Sequence, residues 1–177
     1  PGFGGSCFPK DARALIESGK KYDAPQTLLE SVILGNENRK KNISKKILDK
    51  LDKQSENQIG ILGVTFKAET DDMRESPSLV IIPDLQENGI NISAYDPEGE
   101  KEASKILKDV NWKKSAYEAA ENVDCLVILT DWEEFKNLDL DKIKNSMKRP
   151  LIYDFRNIFD PDMMTELGFE YFSIGRG

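Results

Sequence analysis

The sequence predicts an α/β fold, a Rossmann-like parallel sheet of about five strands flanked by helices and preceded by a long helical segment. Two patterns predict it. From residue 59 onward, short apolar runs alternate with amphipathic stretches, as when strands buried on both faces are joined by crossover helices. Ahead of them, apolar residues recur at intervals of three or four, the signature of one helix face.

In chain order, residues 11–19 read as a short helix through Ala12, Ala14, Leu15 and Ile16, ended by Ser18-Gly19. A longer helix, Pro25 to Lys53, carries Leu29, Val32, Ile33, Ile43, Ile47 and Leu51 on one face. Gly35 interrupts it at a cost of ~1 kcal/mol relative to alanine. Asn36 stands where that face calls for an apolar residue; it is either a solvated turn or an interhelical hydrogen-bonding group. The stripe is longer than a small domain needs, so Ile43 and Ile47 are expected at a dimer interface. The polar run Gln54 to Gln58 marks a boundary between a segment 1–55 and a domain 56–177. Strands are then expected at 59–64, 91–95, 125–130, 151–155 and 171–174, and helices at 78–88, 100–108, 115–122, 140–147 and 162–167. Trp132 with Glu133 and Glu134 reads as a helix entry, and Cys125 as a packed core residue.

Composition narrows the function. A net charge of −7 argues against a nucleic-acid partner, which would require a basic face. No run approaches the ~18–20 apolar residues of a membrane span. The two cysteines lie far apart and form no disulfide framework, so a reducing, cytoplasmic setting is expected. There is no histidine, which removes Ser-His and Cys-His dyads and the commonest zinc ligand. Acid-base work falls to Lys, Asp, Glu, Tyr or water, and no metal is expected. The chain opens with Pro1 rather than Met, straight into a loop rich in reactive residues, and so reads as a piece of a longer protein.

That loop, Gly-Phe-Gly-Gly-Ser-Cys-Phe-Pro-Lys-Asp at residues 2–11, is the strongest chemical signal. Three glycines in four positions let the backbone turn through φ > 0 and approach a ligand. Cys7 follows, with a cation, Lys10, and a carboxylate, Asp11, just beyond; a nearby cation favours the thiolate that attacks carbon. The competing reading is an ordinary helix start, with Pro9 in the first turn, Asp11 suited to the dipole and Cys7 merely packed. A second signal is negative. After the first strand, Gly60 and Gly63 give only G-x-x-G, with Thr65 and Phe66 where a pyrophosphate-cradling turn needs glycine, so this domain does not bind a dinucleotide in the usual way. Ser76 and Pro77 suit a helix start, and Tyr95-Asp96-Pro97 reads as a turn rather than a ribose site.

The decapeptide closely resembles the active-site cysteine motif of the nucleotide-sugar dehydrogenases, of the UDP-glucose 6-dehydrogenase type. Gly-Val-Thr-Phe-Lys at 63–67, Thr-Asp-Asp-Met-Arg-Glu-Ser-Pro at 70–77, Tyr-Asp-Pro at 95–97 and Tyr-Asp-Phe-Arg-Asn at 153–157 resemble the same family in the same order. The resemblance implies oxidation of a sugar C6 alcohol to a carboxylate with two NAD consumed, the cofactor held mainly by a domain ahead of Pro1. It implies Cys7 as nucleophile and Asp11 as its partner for water or a proton. Phe3, Gly4, Gly5, Phe8, Lys67 and Arg156 are implied to contact a UDP-sugar, and Lys10 and Arg74 to contact NAD. The long helix is implied to form a homodimer. Two departures stand out: Arg39 replaces a glutamine common in that helix, and Phe155 replaces glycine before Arg156. UDP-glucose is the expected substrate. GDP-mannose, a UDP-N-acetylhexosamine, or a stand-alone nucleotide-binding module with an idle Cys7 are the alternatives.

Overall fold

Six short runs of branched and small residues lie side by side as parallel strands in the computed structural model, which describes residues 1–52 and 56–176. They are β1 (Gln58–Leu62), β2 (Asn91–Tyr95), β3 (Val110–Trp112), β4 (Cys125–Ile128), β5 (Leu151–Asp154) and β6 (Glu170–Ser173). The order is β3-β2-β1-β4-β5-β6, that of a doubly wound sheet, and it reverses between β1 and β4. Pairing Ile59 with Ile92 on one side and with Cys125 on the other sets the central register.

Both faces are covered, which explains why the strands read as continuous apolar runs. Ile59, Ile61, Cys125 and Val127 join one core with helix α2 (Thr27–Leu48) and helix α3 (Ser78–Glu87). Leu62, Leu126, Ile128 and Ile152 join the other with α5 (Ala116–Ala120), α6 (Glu133–Lys136), α7 (Leu140–Ser146) and α8 (Pro161–Glu166). Gly60 has a packing role: a Cβ there would lie 2.4 Å from the Ala119 carbonyl oxygen, so only glycine lets α5 lie this close to β1. The remaining helices are α1 (Phe8–Lys21) and α4 (Glu100–Ile106).

The helical lead-in differs from expectation in three ways. α1 starts at Phe8 and runs past Gly19 to Lys21. Gly19 does not end it; the chain folds back so closely that a Cβ would sit 2.5 Å from the Ala24 carbonyl. α2 is shorter than Pro25 to Lys53, and Lys53, Gln54 and Ser55 lie outside the described residues. Finally, Ile43 and Ile47 are buried in the chain's own core at 4% and 0% exposure, not displayed for a partner. Each such side chain stabilises the packing by roughly 1.5–3 kcal/mol.

The sixth strand, β3, carries no sequence signal because it is three residues long at the sheet edge, with Asn111 exposed between two half-covered neighbours. The remaining strands and helices fall within a few residues of expectation. Among the described residues no helix is long and apolar enough to cross a membrane.

Candidate active site

The loop of residues 1–7 lies against segments that follow strands: Gly4 and Gly5 meet Phe66 and Glu75 after β1, and Pro1 is within electrostatic reach of Asp131 after β4 and Arg156 after β5. The Gly5 amide donates to the Arg74 carbonyl at 2.8 Å, tying the loop to the segment after β1. Two of its glycines are required by contact. A Cβ on Gly4 would be 2.5 Å from the Glu75 carbonyl oxygen, and one on Gly5, at φ +85°, would be 2.9 Å from the Phe66 ring. On its other side the loop rests on α2. Asn36 Oδ1 accepts from the Phe3 amide at 2.8 Å, and Asn36 Nδ2 donates to the Phe3 carbonyl at 3.1 Å. Asn36 is thus neither a solvated turn nor an interhelical bond, but a clasp on the loop backbone.

Cys7 occupies the N-cap position of α1, where the helix dipole favours negative charge. It is exposed, and its sulfur makes no capping bond; Ser6 Oγ lies 3.5 Å from it. The helix start is there as the competing reading expects, but Cys7 is exposed rather than packed. Phe3 and Phe8 meet edge to face across the loop, with ring centroids 4.6 Å apart. Lys10 and Asp11 pair with each other at 3.3 Å, both exposed. By contrast Cys125 is fully buried in β4, and burial pushes its thiol up.

The other expected contacts gather around the same edge. Lys67 is exposed, its Nζ 5.6 Å from the centre of the Phe66 ring that packs on Gly4 and Gly5. Arg74 lies within electrostatic reach of Cys7. It is forked onto Asp72, with Nη2 2.7 Å from Oδ2, and this hydrogen bond holds the Asp72 carboxyl below its usual value. Arg156 follows β5, within electrostatic reach of Pro1, and is ion-paired with Asp131, which follows β4. Phe155, the departure beside it, is buried in the core and stacks on Tyr153.

The crevice where the strand order reverses is filled. Thr130 Oγ1 donates to the Thr65 carbonyl at 2.7 Å, and a Cβ on Gly63 would lie 2.4 Å from Thr130. Asp96, 3% exposed at the end of β2, accepts through Oδ2 from the amides of Val64 and Thr65 and from Trp132 Nε1. Its Oδ1 accepts from Glu98 and Gly99. It is a structural knot, with nothing left for a ribose. The chain then runs 15 residues from Gly63 before α3 begins, so no helix N-terminus faces that turn. These residues do not fit a dinucleotide pyrophosphate.

Three supports of the edge had no role in the sequence reading, Lys40, Glu75 and Asp131, and Asn36 was read there as polar but without its partner, Phe3. Of these, Asn36 alone left a trace in the sequence, as a polar residue on an apolar stripe.

The model for the UDP-binding domain of the UDP-glucose/GDP-mannose dehydrogenase family matches residues 60–161, and that for the central domain of the same family matches residues 1–38. The chain belongs to this family. A UDP-glucose 6-dehydrogenase of Rhizobium meliloti is 43% identical over 177 residues, covering 99% of this chain and 40% of the relative. The UDP-glucose 6-dehydrogenase TuaD of Bacillus subtilis is 44% identical over 176 residues, covering 99% of this chain and 38% of the relative. Among solved structures, a UDP-D-ManNAc dehydrogenase of Pyrococcus horikoshii superposes with a TM-score of 0.81 at 31% identity, covering 99% of this chain and 39% of that one. A UDP-glucose dehydrogenase of Pyrobaculum islandicum gives 0.77 at 27% identity, covering 96% and 36%. The chain thus spans about 40% of the length of the curated relatives it matches.

Proposed function

We propose that this chain is the cysteine-loop and UDP-binding part of an NAD-dependent UDP-glucose 6-dehydrogenase, divided near residue 55 into those two units. The observation that carries the reading is the docking of the Cys7 loop onto the carboxyl edge of the sheet, beside Phe66-Lys67 and Arg74. A nucleotide bound at strand ends would there present its sugar to an exposed sulfur.

NAD, seated mainly by residues outside this chain, supplies the hydride acceptor when bound, one for oxidation of the C6 alcohol to the aldehyde and a second for oxidation of the thiohemiacetal to the thioester. Cys7 Sγ adds to the C6 aldehyde, forming a C–S bond while the oxygen gains a proton. This thiohemiacetal, once oxidised, is a thioester; water attacks its carbon, the C–S bond breaks, and a carboxylate and the thiol result. Asp11 orients that water or takes its proton. Phe3, Gly4, Gly5 and Phe8 line the sugar, Lys67 and Arg156 hold the UDP-sugar, and Lys10 and Arg74 face the cofactor. A guanidinium fork such as that of Arg74 suits a phosphate.

A homodimer through the first half of α2 is part of the same reading. The support is apolar surface left uncovered there: Leu28 and Leu34 are 81% and 62% exposed, and Tyr22 before the helix is 75% exposed. A panel of UDP-glucose, GDP-mannose and UDP-N-acetylhexosamines offered to the intact protein, with NADH followed, tests the substrate. UDP-glucose should lead, and turnover of another sugar nucleotide alone would move the protein within its family.

A further inference from the structure

We propose that Asn36, braced by Lys40, is a positioning residue that sets where the Cys7 sulfur stands. The inference rests on Cys7 being the nucleophile. Along one face of α2, Asn36, Lys40, Ile43, Ser44 and Ile47 are all buried, but the face changes chemistry midway. Ile43 and Ile47 meet the core, whereas Asn36 and Lys40 meet backbone. Both directed groups of the Asn36 amide are spent on one residue, Phe3, whose amide and carbonyl it holds at 2.8 and 3.1 Å. The contact is as tight as packing allows: a Cβ on Gly2, at φ +130°, would sit 2.8 Å from Asn36 Oδ1.

Lys40 is 2% exposed, and its ammonium reaches the Glu75 carbonyl at 3.4 Å. Glu75 holds a left-handed backbone, φ +56°, and its carbonyl is the surface against which Gly4 lies. Its carboxylate is forked by Arg13 of α1, at 2.9 and 3.2 Å. Phe3 is therefore gripped from α2, Gly4 and Gly5 from the turn at Arg74 and Glu75, and that turn from α1 and α2. Cys7 stands four residues from Phe3's grip and two from Gly5's. A leucine at 36 would suit helix and core better. A buried amide with both bonds made to a loop backbone fixes a path, at the cost of an expensive defect if the loop leaves. Misplacing an attacking atom by about 1 Å can lower a rate by about 100-fold, so such a grip matters chiefly to turnover.

The test compares the intact wild type with Asn36→Leu and Asn36→Asp. The aspartate keeps the acceptor for the Phe3 amide but sets an oxygen against the Phe3 carbonyl. Each is assayed for turnover of UDP-glucose, for amide hydrogen exchange at Phe3 and for alkylation of Cys7 by iodoacetamide. Asn36→Leu should lower kcat about tenfold or more and speed exchange at Phe3, leaving KM for UDP-glucose within about twofold. Asn36→Asp should fall between it and the wild type. If Asn36→Leu does not fold, Asn36→Asp alone decides, by the same split of kcat from KM. Unchanged kcat with faster exchange would overturn the proposal, as would a rise in KM matching the loss of kcat. Should the wild type oxidise no nucleotide sugar, the functional reading fails by itself; exchange at Phe3 and the Cys7 alkylation rate still decide whether Asn36 sets the sulfur, and wild-type values in both variants would overturn it.

Discussion

Cys7 and Cys125 have the same side chain and opposite situations, one exposed at a helix start and one sealed in a central strand. Changing Cys125 to alanine should therefore cost stability, about 1–2 kcal/mol for the lost packing, and leave turnover nearly intact. Urea unfolding beside a steady-state assay checks both halves. Arg156 offers a second residue-level prediction. Its guanidinium is held by Asp131, so a phosphate must compete for it. Asp131→Asn should tighten UDP binding by up to about fivefold by calorimetry, the upper end of the span of a partly exposed ion pair. Weaker binding would show instead that Asp131 orients Arg156. At this scale the sequence was legible where chemistry is local: a glycine-rich loop, a cysteine, a missing fingerprint. It was silent on Asp131 and Glu75, whose partners are 25 and 62 residues away.

At the scale of elements, α2 divides into two working halves. From Ile43 onward it is core, so Ile43→Asp with Ile47→Asp should unfold the chain rather than separate subunits. The apolar surface still uncovered lies nearer Thr27, and Leu28→Asp with Leu34→Asp should yield folded monomers in sedimentation; an unchanged dimer would remove this half of the helix from the interface. Periodicity identified the helix but could not say which half faces inward, because apolar spacing is alike for a core and an interface. The joint between α1 and the turn after β1 adds a pH dependence. The Arg13 fork holds the Glu75 carboxyl below its usual value of 4.5. A depressed carboxyl contributes stability that is present above the unfolded value and lost as pH falls through the folded one. The pair is partly exposed, so its worth is under about 1 kcal/mol after screening. Thermal unfolding from about pH 6 down to pH 3 should therefore fall less steeply in Glu75→Gln than in the wild type.

Taken whole, the molecule keeps a doubly wound strand order while closing the crevice that such sheets use for dinucleotides, with Thr65, Thr130, Asp96 and Trp132. The alternation of strands and helices made that order legible in outline; the edge strand β3 was too short to register, and the closure of the crevice depends on bonds between distant strand ends. On the function proposed above, nucleotide binding would shift to the rim occupied by Lys67, Arg156 and the cysteine loop. Two charge-assisted contacts of roughly 1.5–3 kcal/mol each would give the 177-residue chain a UDP affinity in the high-micromolar to millimolar range. Calorimetry should show that affinity weakened by Lys67→Ala, with little heat from NAD. The central claim is that the sulfur presented on this rim does the chemistry. It is tested most directly by offering UDP-glucose and NAD to the intact protein and to its Cys7→Ala variant, and measuring the sugar acid formed. UDP-glucuronate is expected from the wild type and none from the variant; acid formed by Cys7→Ala at a comparable rate would show that this sulfur is not the nucleophile.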